Sequence, residues 1–147
     1  MDPKMLFLRY AFACAYDLFQ KGKISEDDFQ ALGSLADREN AVPDVELLKR
    51  CFPVACINLY SLAKENDRRP WERQNVEAFW HEHHLKHRTP VRIRRVEMAR
   101  ADNFVKVEGT GTEFFFNRYN LVLQPGDRVY THVSLIVEMI EDKRPPS

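Results

Sequence analysis

The sequence predicts an α+β fold in which a bundle of helices precedes a small five-stranded β-barrel of OB or SH3-like type. Up to about residue 88, apolar residues recur every three to four positions, which is typical of helices. Beyond Pro90 the apolar period changes to two, and short runs are separated by glycine and asparagine turns. We therefore expect a helical domain at 1–88, a barrel domain at 89–142 and a disordered tail at 143–147.

The composition is that of an ordinary globular protein. The chain of 147 residues is 44% hydrophobic and 30% charged, so it has enough apolar material for a core. Lysine plus arginine equals aspartate plus glutamate at 22 each, which argues against a protein devoted to nucleic acid. Three cysteines without a CxxC pair, no signal-peptide pattern and no apolar run of membrane length predict a cytoplasmic protein without a membrane partner.

Proline and capping residues predict where the helices begin. Asp2-Pro3 is an N-cap followed by a favourable first-turn proline, and Ser25 is an N-cap with Asp28 three residues on. Pro53 should interrupt a helical stretch, because proline removes a backbone hydrogen bond. Pro70 should begin a last helix over 71–86.

Alternating apolar residues and turn signals predict the strands of the second part. Pro125-Gly126-Asp127 is the signal of a type II turn. The expected strands are Val91–Met98, Phe104–Glu108, Glu113–Phe116, Tyr119–Leu123 and Arg128–Ile140.

Four of the five histidines lie in the segment 80–87. His83 and His87 are four residues apart and His84 and His87 three apart, so one helix could present them to a single divalent metal such as zinc or iron. His132 is the distant candidate for a further ligand. The alternative is a polar helix end, in which His83 and His87 continue the buried stripe while His81 points away from it.

A basic run follows the histidines. Arg92, Arg94 and Arg95 lie on the first predicted strand, and small barrels bind anions or single-stranded nucleic acid through such strands. Neighbouring aromatic residues, Phe114 to Phe116 and Tyr119, could provide stacking platforms. The alternative is a solvated strand face with the phenylalanines in the core.

The second half also resembles a known family. Pro125, Gly126, Asp127, Val129 and His132, followed by an apolar strand end, are similar to a segment of the HypC/HupF hydrogenase-maturation chaperones. The resemblance covers about residues 90–140. It implies a compact β-barrel that works with a HypD-type partner, and a functional histidine at His132. The family's cysteine near the N-terminus has no counterpart in the residues before Pro90.

These observations rank three functions. The first is a non-enzymatic accessory or binding protein, a chaperone-like factor whose partner is a metalloenzyme precursor or a maturation factor. The second is a metal-dependent enzyme that uses the His81–His87 cluster. The third is a module that binds single-stranded nucleic acid. Catalytic residues are not predicted, since the sequence carries no nucleophile elbow, phosphate loop or paired-carboxylate motif.

Overall fold

A computed structural model describes residues 1–83 and 90–141 of the chain. Five α-helices come first and a five-stranded sheet follows, which confirms the predicted mixed α+β class. The chain divides into two units, Met1–Arg88 and Thr89–Ser147. The predicted disordered tail at 143–147 lies outside the described residues. No helix in the described part of the chain is both long and apolar enough to cross a membrane.

The first unit is hereafter called the helical unit, and its first two helices begin at the predicted N-cap residues. The Asp2 carboxylate accepts a hydrogen bond from the Lys4 backbone N–H at 2.8 Å, and Ser25 Oγ accepts one from Asp28 N–H at 3.1 Å. Its helices are α1 (Pro3–Gln20), α2 (Glu26–Ala36), α3 (Val45–Cys51), α4 (Pro53–Glu65) and α5 (Arg73–Ala78), which continues into a π-helical turn (Phe79–His83).

Proline separates α3 from α4 as predicted. Phe52 leaves the helical conformation between them, with φ of −128° and ψ of 61°, and Pro53 is the first residue of α4. The last helix begins later than the predicted Trp71. The Trp71 indole instead donates a hydrogen bond to the Tyr60 hydroxyl at 2.8 Å, and α5 starts at Arg73.

Aromatic rings fill the centre of the helical unit. Phe7 has its ring centroid 5.1 Å from that of Trp71, 5.4 Å from Trp80, and 6.3 Å from both Phe52 and Phe79. Phe7 is fully buried on α1. The core of this unit therefore depends on edge-to-face and stacked ring contacts.

The second unit, hereafter the sheet unit, contains one sheet with the strand order β1-β2-β3-β5-β4. Strand β4 also pairs with β1, so the sheet closes on itself. All pairs are antiparallel except β3 with β5. The strands are β1 (Val91–Ala99), β2 (Phe104–Val107), β3 (Phe114–Phe116), β4 (Arg128–His132) and β5 (Leu135–Ile140).

The number of strands agrees with the prediction, but two assignments were wrong. The predicted strand Arg128–Ile140 is a hairpin, in which Val133 and Ser134 connect β4 to β5. The predicted strand Tyr119–Leu123 is a loop. The backbone of Leu121 in this loop is hydrogen-bonded to a side chain. The Asn117 amide accepts from Leu121 N–H at 3.0 Å and donates to Leu121 C=O at 2.8 Å.

The predicted turn before β4 is present. Asp127 N–H donates to Gln124 C=O at 3.1 Å, and Gly126 has φ of +93°, as the third residue of a type II turn requires. The turn leads Val129 into the core of the sheet unit. That core consists mainly of small branched side chains: Val96, Val105, Val107, Phe115, Val129 and Ile136.

Candidate functional sites

The histidine segment starts in a π-helical turn. A π-helix has more residues per turn than an α-helix, so it rotates the residues that follow out of the α-helical register. Phe79 and Trp80 are both buried, whereas His83 is exposed. The prediction that His83 continues the buried stripe was therefore wrong. The 3.6-residue spacing on which it rested does not hold across Phe79–His83.

His81 makes the contact with the helical interior that the 3.6-residue periodicity predicted for His83. Its Nε2 atom lies 2.9 Å from the Tyr10 hydroxyl, and its ring centroid is 5.7 Å from that of Tyr10. The Tyr10 ring stacks on Trp80 at 5.4 Å with an interplanar angle of 14°. This Tyr10–Trp80–His81 contact anchors the π-helical turn to α1. A tyrosine on α1 gave no signal in the sequence that it would meet a histidine 71 residues away.

The four predicted metal ligands are distributed between the two units. His83 lies on the π-helical turn and is exposed, while His132 is the last residue of β4 and is fully buried. His84 and His87 fall outside the described residues. Within residues 1–83 and 90–141, no three His, Cys, Asp or Glu side chains are grouped so that they could hold a metal ion. The metal site at His83, His84, His87 and His132 stays a prediction.

The arginines of β1 have different surroundings. Arg92 and Arg95 are exposed, but Arg94 is half-buried with its guanidinium carbon 5.2 Å from the centre of the Phe115 ring. Such a cation–π contact uses the face that a nucleic-acid base would need. Arg94 therefore differs from Arg92 in its surroundings, although the two residues were predicted to share one face of the strand.

Arg95 lies in a polar recess. It is paired across the sheet with Arg128, and both residues line a cavity of about 460 Å³ together with Asp127 and Glu141. Two like charges directly opposite each other on a sheet repel. The two carboxylates in the same recess offset that repulsion, so the recess is mixed in charge rather than a cationic cradle.

Most rings of the predicted aromatic platform pack against other side chains of the sheet unit. Phe115 is buried in the core, and the Arg100 guanidinium carbon lies 5.1 Å above Phe114. Phe116 is half-buried, and its ring is 5.4 Å from that of Phe104 on the adjacent strand. Phe104 is 41% exposed and is the most accessible of these rings.

Two of the three cysteines are buried. Cys51 ends α3 and Cys56 lies on α4, and burial raises the pKa of each thiol to about 11. Both therefore stay protonated at neutral pH and behave as small apolar side chains. Cys14 on α1 is half-buried.

The helical unit also contains an apolar cavity of about 440 Å³ that sequence reasoning missed. Side chains from α1, from the junction of α3 and α4, and from the π-helical turn line it, including Cys14, Phe52 and Trp80. Its residues are dispersed along the chain and individually look like core residues. Comparison of the chain with protein-family models, with curated proteins and with solved structures gave no match.

Proposed function

We propose that this chain is a non-enzymatic accessory protein that binds a metalloenzyme precursor or a maturation factor through its sheet unit. The closed strand order, with β3 parallel to β5 and β4 paired to β1, supports a small Greek-key barrel of the OB type. Such barrels commonly recognise partners through strand ends and loops. The HypC/HupF resemblance of residues 125–137 supplies the class of partner.

The observation that carries the proposal is the position of His132. This side chain is fully buried at the end of β4, and the following residue, Val133, has φ of +55°. A β-branched residue rarely adopts that conformation, and backbone strain of this kind is concentrated at functional sites. Because its side chain is fully buried, His132 would act by positioning the strained turn that follows β4 and not by touching the partner itself.

The proposal is limited to partner recognition. The resembling family has a reactive cysteine before its first strand, and this chain has no cysteine between Cys56 and its C-terminal Ser147. Transfer of a metal-bound unit through a thiolate is for that reason not part of the proposed activity.

Affinity capture with the full chain tests this function. We expect the wild-type protein to recover a metalloenzyme precursor or a HypD-like maturation factor. The His132→Gln variant should recover less, with circular dichroism used to verify that it folds. His83→Gln is the matched control, since it changes an exposed histidine of the helical unit. Wild-type protein that recovers neither class of partner would refute the proposal.

Elemental analysis separates this function from a metal-dependent enzyme that uses the His81–His87 cluster. Protein purified without a histidine tag would then carry zinc or iron in stoichiometric amount, and a double variant, His83→Ala with His87→Ala, would lose it. Under the accessory-protein proposal, both proteins should have the same low metal content.

The exposed positions on β1 and β2 favour nucleic-acid binding as a second candidate. Arg92 offers a cation and Phe104 a ring at the surface of the sheet unit, and Arg95 adds a cation in the mixed-charge recess. This candidate predicts binding of a single-stranded oligonucleotide that weakens steeply with salt and falls in an Arg92→Gln, Arg95→Gln variant. Absence of binding at low salt would exclude it.

A further inference from the structure

The apolar cavity of the helical unit is large enough for a small molecule. Its volume of about 440 Å³ falls within the range of ~300–1,000 Å³ typical of ligand sites. Cys14 and Leu18 contribute from one face of α1, since they are four residues apart. Phe52 and Trp80, both buried, provide aromatic walls. Such walls favour an apolar ligand.

One cation stands at this apolar cavity. Lys23 is the only charged residue among the described residues that line it, and no Asp or Glu is among them. Lys23 is exposed, and within the described ranges it takes part in no ion pair. Asn58 on α4 is half-buried and provides an amide at the same cavity. The polar groups therefore suit an anion, while the walls suit a hydrocarbon.

From this arrangement we infer that the cavity binds a small apolar carboxylic acid, with its hydrocarbon part against Trp80 and Phe52 and its carboxylate at Lys23. The Asn58 amide is a further hydrogen-bond donor in the lining of the same cavity. An ammonium and an amide at the edge of an apolar recess select a singly charged amphipathic ligand over a neutral one. The inference concerns the helical unit alone and does not depend on the function proposed for the sheet unit.

Charge distinguishes this occupant from a protein partner on the same surface. Val54 at the cavity is 69% exposed and Ile57 on the same helix is 64% exposed, so an apolar partner or a second copy could also cover this face. Neither of those occupants requires the ammonium of Lys23. A carboxylate does.

A matched pair of probes tests the inference on the 147-residue chain. Isothermal titration would compare 4-phenylbutanoate with 4-phenylbutanamide, which have similar size but differ in charge. We expect the acid to bind with one-to-one stoichiometry and the amide to bind about three- to tenfold more weakly, because it lacks the charge-assisted contact. Trp80 forms part of the wall, so tryptophan fluorescence should change with the same saturation curve.

Variants locate the contact. Lys23→Met should weaken the acid about three- to tenfold and leave the amide unchanged, whereas Lys21→Met is the control for loss of a nearby exposed lysine outside the cavity. Ala55→Phe, which places a ring in the cavity, should abolish both interactions while the helical content is retained. Equal binding of acid and amide, an equal effect of Lys21→Met and Lys23→Met, or no binding of either probe would each overturn the inference. A dimer that dissociates on Val54→Asp substitution and binds neither probe would assign the face to a second copy instead.

Discussion

The helical unit and the sheet unit fill their interiors with different side chains. In the helical unit, Phe7 touches four other rings, whereas the core cluster of the sheet unit places five aliphatic residues around the ring of Phe115. The apolar cavity lies beside Phe52, Phe79 and Trp80 in the ring-rich unit. The two units therefore differ in the kind of cavity they hold: the one in the helical unit is apolar, whereas the recess at Arg95 and Arg128 in the sheet unit is polar.

The largest effect should come from removing the central ring of the helical unit. Phe7 is fully buried, so Phe7→Ala should lower the free energy of unfolding by about 3–5 kcal/mol. Both tryptophans, Trp71 and Trp80, lie in this unit and next to Phe7, so urea denaturation followed by their fluorescence measures it directly. The control Tyr16→Ala removes a ring that is 61% exposed and should change stability by less than about 1 kcal/mol. Equal effects of the two substitutions would contradict the aromatic core.

A smaller effect is expected from the aliphatic core of the sheet unit. Val129→Ala removes two methyl groups from a fully buried position and should cost about 1–3 kcal/mol. Amide hydrogen exchange of peptides from β4 and β5 should accelerate. The control is Val122→Ala at a position that is 84% exposed, where exchange should not change. If Val129→Ala cost more than Phe7→Ala, the contrast between the two cores would be wrong.

Local signals in the sequence predicted the helix starts and the turns. Ser25, Pro53 and Gly126 act through backbone groups within a few residues of themselves, so their effects can be recognised without the fold. The register of the last helix could not be recognised in this way. Its π-helical turn places Trp80 against Tyr10 on α1, a contact that depends on how the helices pack.

The misassigned loop at 119–123 has a similar cause. Its alternating apolar residues are typical of a strand, and Leu121 and Leu123 do pack against the core of the sheet unit. The backbone bonds to the Asn117 side chain instead of to a neighbouring strand, and periodicity does not report such a bond. The candidate sites were harder to predict from the sequence, because the cavity and the Tyr10–His81 contact join residues that are far apart in the chain.

Relief of the strained turn should stabilise the sheet unit. The left-handed conformation of Val133, with φ of +55°, costs an L-residue roughly 1–2 kcal/mol, and asparagine tolerates it better. We expect Val133→Asn to raise the free energy of unfolding by about 1 kcal/mol. Val133→Gly should gain less, because glycine loses more backbone entropy on folding. Thermal unfolding that shows Val133→Asn to be destabilised would mean that the valine side chain makes contacts that outweigh the strain.

The smallest expected effect concerns the exposed polar contact between α2 and α3. Arg50 donates to both carboxylate oxygens of Asp28, at 2.9 and 3.0 Å, and this contact holds the pKa of Asp28 below its ordinary value of 3.8. A carboxylate whose pKa is lower in the folded state stabilises the fold above its unfolded pKa, and that contribution is lost as the pH falls through the folded pKa. The variant Arg50→Gln should therefore be slightly less stable than wild type at neutral pH, with a difference that begins to shrink near the ordinary pKa of 3.8 and vanishes only below the lower pKa of Asp28 in the folded state. Lys21→Gln, which removes a single exposed contact to Asp17 at 2.9 Å, is the control. A stability difference for Arg50→Gln that persists unchanged in acid would show that packing of the Arg50 side chain against the helices, and not its charge contact with Asp28, is the cause.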